Sequence, residues 1–209
     1  LKYSGSNMKI KYLMCDKVNV DDLTTIPYLC EDMSVKQSQK KYVISNGCIK
    51  DNPKFGNIQL KMGNDLFLFV TTPPMKCLFG VQQNGNNFNM SLQFTDLKED
   101  SNMEYFYNFI QRVEYECMKQ LGLSEDDADR FVSQIKYDKK GIYEPNLSIK
   151  LPFSYNKFQT DIYSEHSDTV NLFQIQGFTP MECDIYLDKI WKMNDKFYAK
   201  WKCNMIHLL

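Results

Sequence analysis

The side chains best suited to chemistry in this sequence are basic residues interleaved with aromatics, and they gather in three places. Near the C-terminus, Lys189, Trp191, Lys192, Lys196, Tyr198, Lys200, Trp201 and Lys202 follow at short intervals, with Asp184, Asp188 and Asp195 among them. A second run reads Lys136-Tyr137-Asp138-Lys139-Lys140-Gly141-Ile142-Tyr143, and Lys36, Lys40, Lys41 and Tyr42 form a third. Ammonium groups neutralise phosphates and rings stack on unpaired bases, so this mixture is what a groove for one nucleic-acid strand needs. Stacking contributes about 1–3 kcal/mol per base and tolerates any sequence. Any one cluster also reads as a solvated strand face with lysines guarding an edge. Trp191 and Trp201 read equally well as core or as contact residues.

Catalytic patterns are missing. The sequence has no P-loop, GxGxxG, GxSxG, HExxH or EF-hand spacing. Asp126, Asp127 and Asp129 cluster, but at the expected start of a helix, where acidic side chains complement the positive end of the dipole. His166 and His207 lack any neighbour pattern suggesting an activated base. The seven cysteines never form C-x-x-C; Cys203 and His207 lie four apart without a second pair nearby, so no zinc site is expected. The cysteines read as buried thiols acting as small hydrophobes in a reducing compartment. The expectation is a protein that is not an enzyme and holds no metal or cofactor.

Composition sets the frame for these residues. With 209 residues, 43% hydrophobic and 24% charged, one sizeable core is within reach. Aromatics reach 14%, with 14 Phe and 13 Tyr, which suits a β-rich core. The net charge of −1, from 25 basic and 26 acidic side chains, excludes a histone-like grip on nucleic acid by the whole protein. A local basic groove stays open, because charges act over a Debye length of about 10 Å. The longest apolar run, Leu66 to Val70, is far short of the roughly 20 residues of a membrane span. Residues 1–7 lack the apolar stretch of a signal peptide and read as non-native residues ahead of Met8. An intracellular location is expected.

The elements that must position the clusters follow from periodicity. Residues 1–35 form an N-terminal segment without a clear period, and residues 36–209 read as one domain. Tyr42 lies in a strand ending at the hairpin signal Asn46-Gly47. Ile58–Met62 and Asp65–Thr71 flank Gly63-Asn64, a second hairpin candidate. A third surrounds Asn84-Gly85-Asn86-Asn87, with Phe88, Met90, Leu92 and Phe94 on one face. The period then changes. Ser101-x-x-Glu104 reads as a capping box opening a helix over about 102–121, striped by Phe106, Ile110, Val113, Cys117 and Leu121 and ended at Gly122. A second helix is expected over about 124–135. Asn146–Leu151 alternates as a strand up to Pro152, and two long strands, 184–193 and 196–205, close the chain around Asn194-Asp195. Strands, a helix pair, then strands suit a β-barrel with inserted helices, an OB-fold with its helix between the third and fourth strands. A β-sandwich with a helical insertion is the alternative.

Three stretches also carry a family resemblance. Thr72-Pro73-Pro74-Met75-Lys76-Cys77-Leu78-Phe79-Gly80 resembles a T-P-x-M-x-x-x-F-G element of the single-stranded-DNA-binding proteins of large nucleocytoplasmic DNA viruses. The aromatic-rich helix at 105–121, the lysine loop, Tyr143-Glu144-Pro145 and Lys150-Leu151-Pro152 follow in a similar order. Trp191 to Lys202 is similar to their closing W-x-x-x-x-K-x-x-x-x-W-K hairpin. The likeness spans roughly residues 40–206. It implies an OB-fold related to phage replication single-stranded-DNA-binding proteins. The implied role is coating exposed strands during viral DNA replication, recombination or repair, in host cytoplasm or nucleus at sites of viral replication. Single-stranded DNA is the implied partner, replication proteins are further candidates, a homo-oligomer is left open, and no membrane is involved. Phage relatives end in an acidic recruiting tail, whereas this chain closes with His207-Leu208-Leu209, so recruitment through a tail is not carried over.

Residues and resemblance together give an expected site. Lys76, Lys139, Lys140, Lys150, Lys192, Lys200 and Lys202 are assigned to phosphate neutralisation. Tyr137, Tyr143, Trp191 and Tyr198 are assigned to base stacking. The competing expectation is a structural or scaffolding virion or interaction protein without nucleic-acid affinity.

Overall fold

A computed structural model describes residues 13–25, 28–31, 42–45, 55–63, 67–164 and 170–209. The site is positioned by β1 (Phe55–Met62), β2 (Leu68–Thr71), β3 (Met75–Cys77), β4 (Asn87–Gln93), α1 (Ser101–Gln120), β5 (Asn146–Leu151), β6 (Thr179–Leu187), β7 (Lys189–Met193), β8 (Lys196–Tyr198) and β9 (Lys202–Leu208).

Five of these strands close a ring. β3 pairs antiparallel with β4, β4 antiparallel with β5, β5 parallel with β9, β9 antiparallel with β6, and β6 antiparallel with β3. The period-2 pattern explains the wall. Phe88, Met90 and Leu92 of β4 face inward against Leu151, Ile149 and Leu147 of β5, their register partners, and all six are buried. Asn89, Ser91, Ser148 and Lys150 alternate with them and so face outward. The fold is mainly β, an OB-like barrel with a helical insertion. Cys77, Cys117, Cys183 and Cys203 are buried and unbridged, as is Cys15.

Aromatic side chains fill both ends. From α1, Phe106 and Phe109 reach Phe94 and Trp201, with ring centroids 6.0 and 6.4 Å apart. At the other end Phe153, Phe158 and Phe173 surround Phe88 at 4.9, 4.8 and 5.9 Å. The helix is held by its stripe, Met103, Phe106, Ile110, Val113 and Cys117, all buried. Each such side chain contributes about 1.5–3 kcal/mol, more than helix propensity supplies.

A second sheet stands beside the barrel. β1 pairs with β7, with Leu23–Thr25 and with Tyr28–Glu31, which in turn pairs with Tyr42–Ser45. Residues near the N-terminus thus supply strands, including Leu13–Met14 alongside β2. β7 continues β6 past a break at Asp188, and β8 leads into β9 past Ala199 to Trp201, so one long hairpin belongs to both sheets. Its turn, Asn194-Asp195, holds φ of 49° and 63°, as the sequence suggested.

Four expectations need correction. Among the described residues, β1 does not form a hairpin with β2 across Gly63; the two lie in different sheets. α1 lies between the second and third ring strands rather than the third and fourth. The N-cap of α1 is Asp100, whose carboxylate accepts from Asn102 N at 2.8 Å; a charged acceptor one residue earlier displaces Ser101. The second helix shrinks to a 3-10 stretch, Glu125–Arg130, with a Ser124 capping box but no buried residue to sustain it. Asn46-Gly47, Lys36, Lys40, Lys41, Cys48 and His166 lie outside the described residues. No helix among the described residues is long and apolar enough to cross a membrane.

Candidate nucleic-acid interface

The outward residues of β4 and β5 form the floor of a groove, and the hairpin β7–β8 forms one wall. Gln82, Asn89, Gln134, Lys136, Ser148, Lys150, Tyr198 and Lys200 line a cleft of about 310 Å³. A second cleft of about 370 Å³ shares Lys150, Tyr198 and Lys200 with it and adds Asn57, Trp191 and Lys202. The two make one track. Register accounts for the convergence: Asn89 faces Lys150, Lys150 faces Lys202, and Lys202 faces Tyr186 across successive strands.

The aromatic wall is equally a product of pairing. Trp191 and Tyr198 are direct cross-strand partners, and Trp191 also faces Asn57 of β1. Trp191 is 40% exposed, whereas Trp201 is fully buried and belongs to the core. Lysines lie over the rings: Lys189 Nζ is 4.8 Å from the Trp191 centroid, Lys200 Nζ 5.4 Å from Tyr198, and Lys202 Nζ 5.7 Å from Tyr186.

The charges in this track are crowded and predominantly basic. Burial holds the Lys150 ammonium below the ordinary lysine range, and the Lys200 and Lys202 charges push it the same way. Lys189 is also lowered, by burial first, with Asp188 opposing and Lys202 adding to the fall. Asp188 is the acid among them. Its Oδ2 accepts from Lys202 Nζ at 2.6 Å and lies 3.9 Å from Lys189 Nζ, while its buried Oδ1 has no hydrogen-bond partner among the described residues. Among the described residues no carboxylate pairs with Lys150 or Lys200. A surface of this kind favours an anion that brings several negative charges at once.

The structure brings together Lys150, Trp191, Tyr198, Lys200 and Lys202 of the expected site. Lys192 borders the same cleft, but its side chain is 1% exposed, with its ammonium 3.7 Å from Asp195 and over the Phe197 ring. It is a core cation rather than a phosphate contact, because alternation along β7 turns it inward. Lys139, Lys140 and Tyr143 are exposed in the loop after Lys136, outside the groove lining. That loop is shaped by acids: Asp138 Oδ2 accepts from Ile142 N at 3.0 Å, and Glu144 accepts from Asp96 N and Leu97 N. Backbone amides, Ile142 first, hold the Asp138 carboxyl below its usual range. Tyr137 turns to α1, its hydroxyl 2.7 Å from that of Tyr107. Lys76 is exposed on β3, between Gln93 and Pro180.

The expected site lacked Lys136, Lys189, Asn57, Gln82, Asn89 and Gln134. Alternation could have placed Asn89 and Lys150 on one face, but nothing in the sequence brings Asn57 across from another sheet. Among the described residues no group of three or more His, Cys, Asp or Glu could hold a metal. A comparison with known proteins found no family model that matches this chain, and no curated protein that matches it.

Proposed function

We propose that this protein binds single-stranded DNA without sequence preference, by a groove on the outside of its OB-like barrel, and acts by binding rather than by catalysis. One observation carries the reading. Lys136, Lys150, Lys200 and Lys202 share a track with the paired rings Trp191 and Tyr198, on the barrel face and hairpin that OB-folds use for oligonucleotides. Phosphates would meet the lysines and unpaired bases would stack on the rings. A duplex hides its bases from such a wall, so single strands are favoured. The motif likeness supports the further proposal that the protein resembles single-stranded-DNA-binding proteins of large nucleocytoplasmic DNA viruses and protects strands exposed in replication, recombination or repair.

Fluorescence anisotropy with labelled oligo-dT, the matching duplex and an RNA strand, across a salt titration, tests this. The expected result is tight binding to the single strand and much poorer binding to the duplex. The slope of log K against log salt should be about −3, from four contacts at roughly −0.7 each. Absence of binding at low salt overturns the reading and leaves a structural or scaffolding role.

A further inference from the structure

Across the β4–β5 face from the hairpin, the outer row of the barrel ends in exposed phenylalanines. Ser148, in the groove lining, is registered with Ser91, and Ser91 O accepts from Leu78 N at 2.9 Å. Phe178 directly precedes Thr179, the register partner of Cys77, in the turn where that pairing ends. From Ser148 through Ser91 and Leu78 to the turn carrying Phe178 is about three strand spacings, roughly 14 Å at ~4.8 Å each. Phe178 is 66% exposed and Phe79, in the adjoining bulge, 63%. Among the described residues no aromatic ring packs on either.

The two loops that carry these rings are locked backbone to backbone. A Cβ at Gly80 would clash with Ile175 O, and one at Gly177 would stand 2.9 Å from Leu78 O. Glycine at both places is what permits the approach. Phe178 N donates to Cys77 O at 2.5 Å, and Phe178 holds a φ of 66°, which a bulky side chain adopts only where its surroundings impose it. Rings needed for the core would turn inward. Here close packing and a left-handed backbone instead fix two rings in solvent, at the end of a polar track that begins among lysines. Exposed Lys76 stands opposite Pro180, two residues along from Phe178.

We propose that Phe79 and Phe178 form a second base-stacking subsite for single-stranded nucleic acid, with Lys76 meeting a phosphate beside it. A strand lying across β4 and β5 would touch the hairpin rings at one end and these phenylalanines at the other. This inference rests on the nucleic-acid reading above. It gives Lys76 a place that the hairpin groove does not.

The test is the dependence of affinity on strand length, measured by anisotropy on the full chain with oligo-dT of about four and about twelve nucleotides, within the range of OB-fold site sizes. Phe79→Ala with Phe178→Ala should leave the short strand's affinity unchanged and weaken the long strand by about tenfold or more. Phe79→Tyr with Phe178→Tyr should restore the long-strand affinity, since tyrosine also stacks. Long-strand binding unchanged in the alanine variant overturns the subsite while leaving the hairpin groove standing. So does a variant whose only change is loss of self-association in sedimentation, which makes the patch a contact between copies. Wild-type protein that binds neither strand overturns both readings together.

Discussion

The two ends of the β6–β9 strand pair differ in charge although they share both strands, and a bulge between Asp184 and Ile185 shifts the register from one end to the other. At the end next to the hairpin, Lys202 faces Tyr186 and joins Lys150, Lys189 and Lys200 around one acid, Asp188. At the far end, His207 faces Glu182 and Met205 faces Asp184, around a cavity of about 410 Å³. The acids there are partly satisfied internally. Thr71 Oγ1 donates to Asp184 Oδ1 at 2.6 Å, and His207 Nε2 lies 3.4 Å from Asp184 Oδ2. A net charge of −1 therefore describes neither end. Tyr186 and Glu182 lie four positions apart on β6, roughly 13 Å at ~3.3 Å per residue, which exceeds a Debye length of about 10 Å, so neither end cancels the other.

Reversing charge at one end and then the other breaks the comparison most strongly. Lys200→Glu with Lys202→Glu should weaken oligo-dT binding by about a hundredfold or more and flatten the salt slope by about 1.4, two contacts at roughly 0.7 each. Glu182→Lys should leave both nearly unchanged. Equal losses from the two changes, in salt-titrated anisotropy, would remove the distinction between the ends.

Removing the rings comes next. Trp191→Ala with Tyr198→Ala should cost about tenfold to a hundredfold in affinity and leave the salt slope unaltered, because stacking releases no counterions. A change in slope without a change in affinity would reassign the hairpin to electrostatics alone.

Asp188 sharpens the same contrast with an opposite sign. It competes with phosphate for Lys202, so Asp188→Asn should raise affinity about threefold to tenfold with the slope unchanged, since an opposing charge is removed and the number of contacts stays the same. Weaker binding with an unchanged melting temperature would mean that Asp188 instead positions Lys202 for the strand.

The smallest effect concerns pH. The ammonium of Lys150 is the form that attracts phosphate, and its folded pKa lies below the ordinary lysine range. Affinity should therefore begin to fall as pH rises before the usual lysine range near 10.4 is reached. Lys150→Arg should flatten that fall, since guanidinium stays charged. Parallel pH profiles for the two proteins would contradict it.

Much of the barrel was legible in the sequence because period-2 alternation is a local signal. Phe88, Met90, Leu92 and Asn146–Leu151 behave as their spacing predicts. Pairing between distant segments is not local, which is why β1 was mistaken for the partner of β2 and α1 was placed one ring strand too late. The site divided along the same line. Trp191, Tyr198, Lys200 and Lys202 sit on one hairpin and could be read together, whereas Asn57 arrives from the second sheet. Lys192 was misread because a cluster of lysines suggests a surface, while strand alternation, the finer signal, turns it inward.

Photocrosslinking locates the bound strand most directly. Oligo-dU carrying a photoreactive uracil would be irradiated with the full chain and the adducts mapped by peptide mass spectrometry. The account predicts adducts on Trp191 and Tyr198 and none on Tyr163 or His207. Adducts concentrated at Tyr163 and His207, or binding without any adduct on the hairpin, would contradict it.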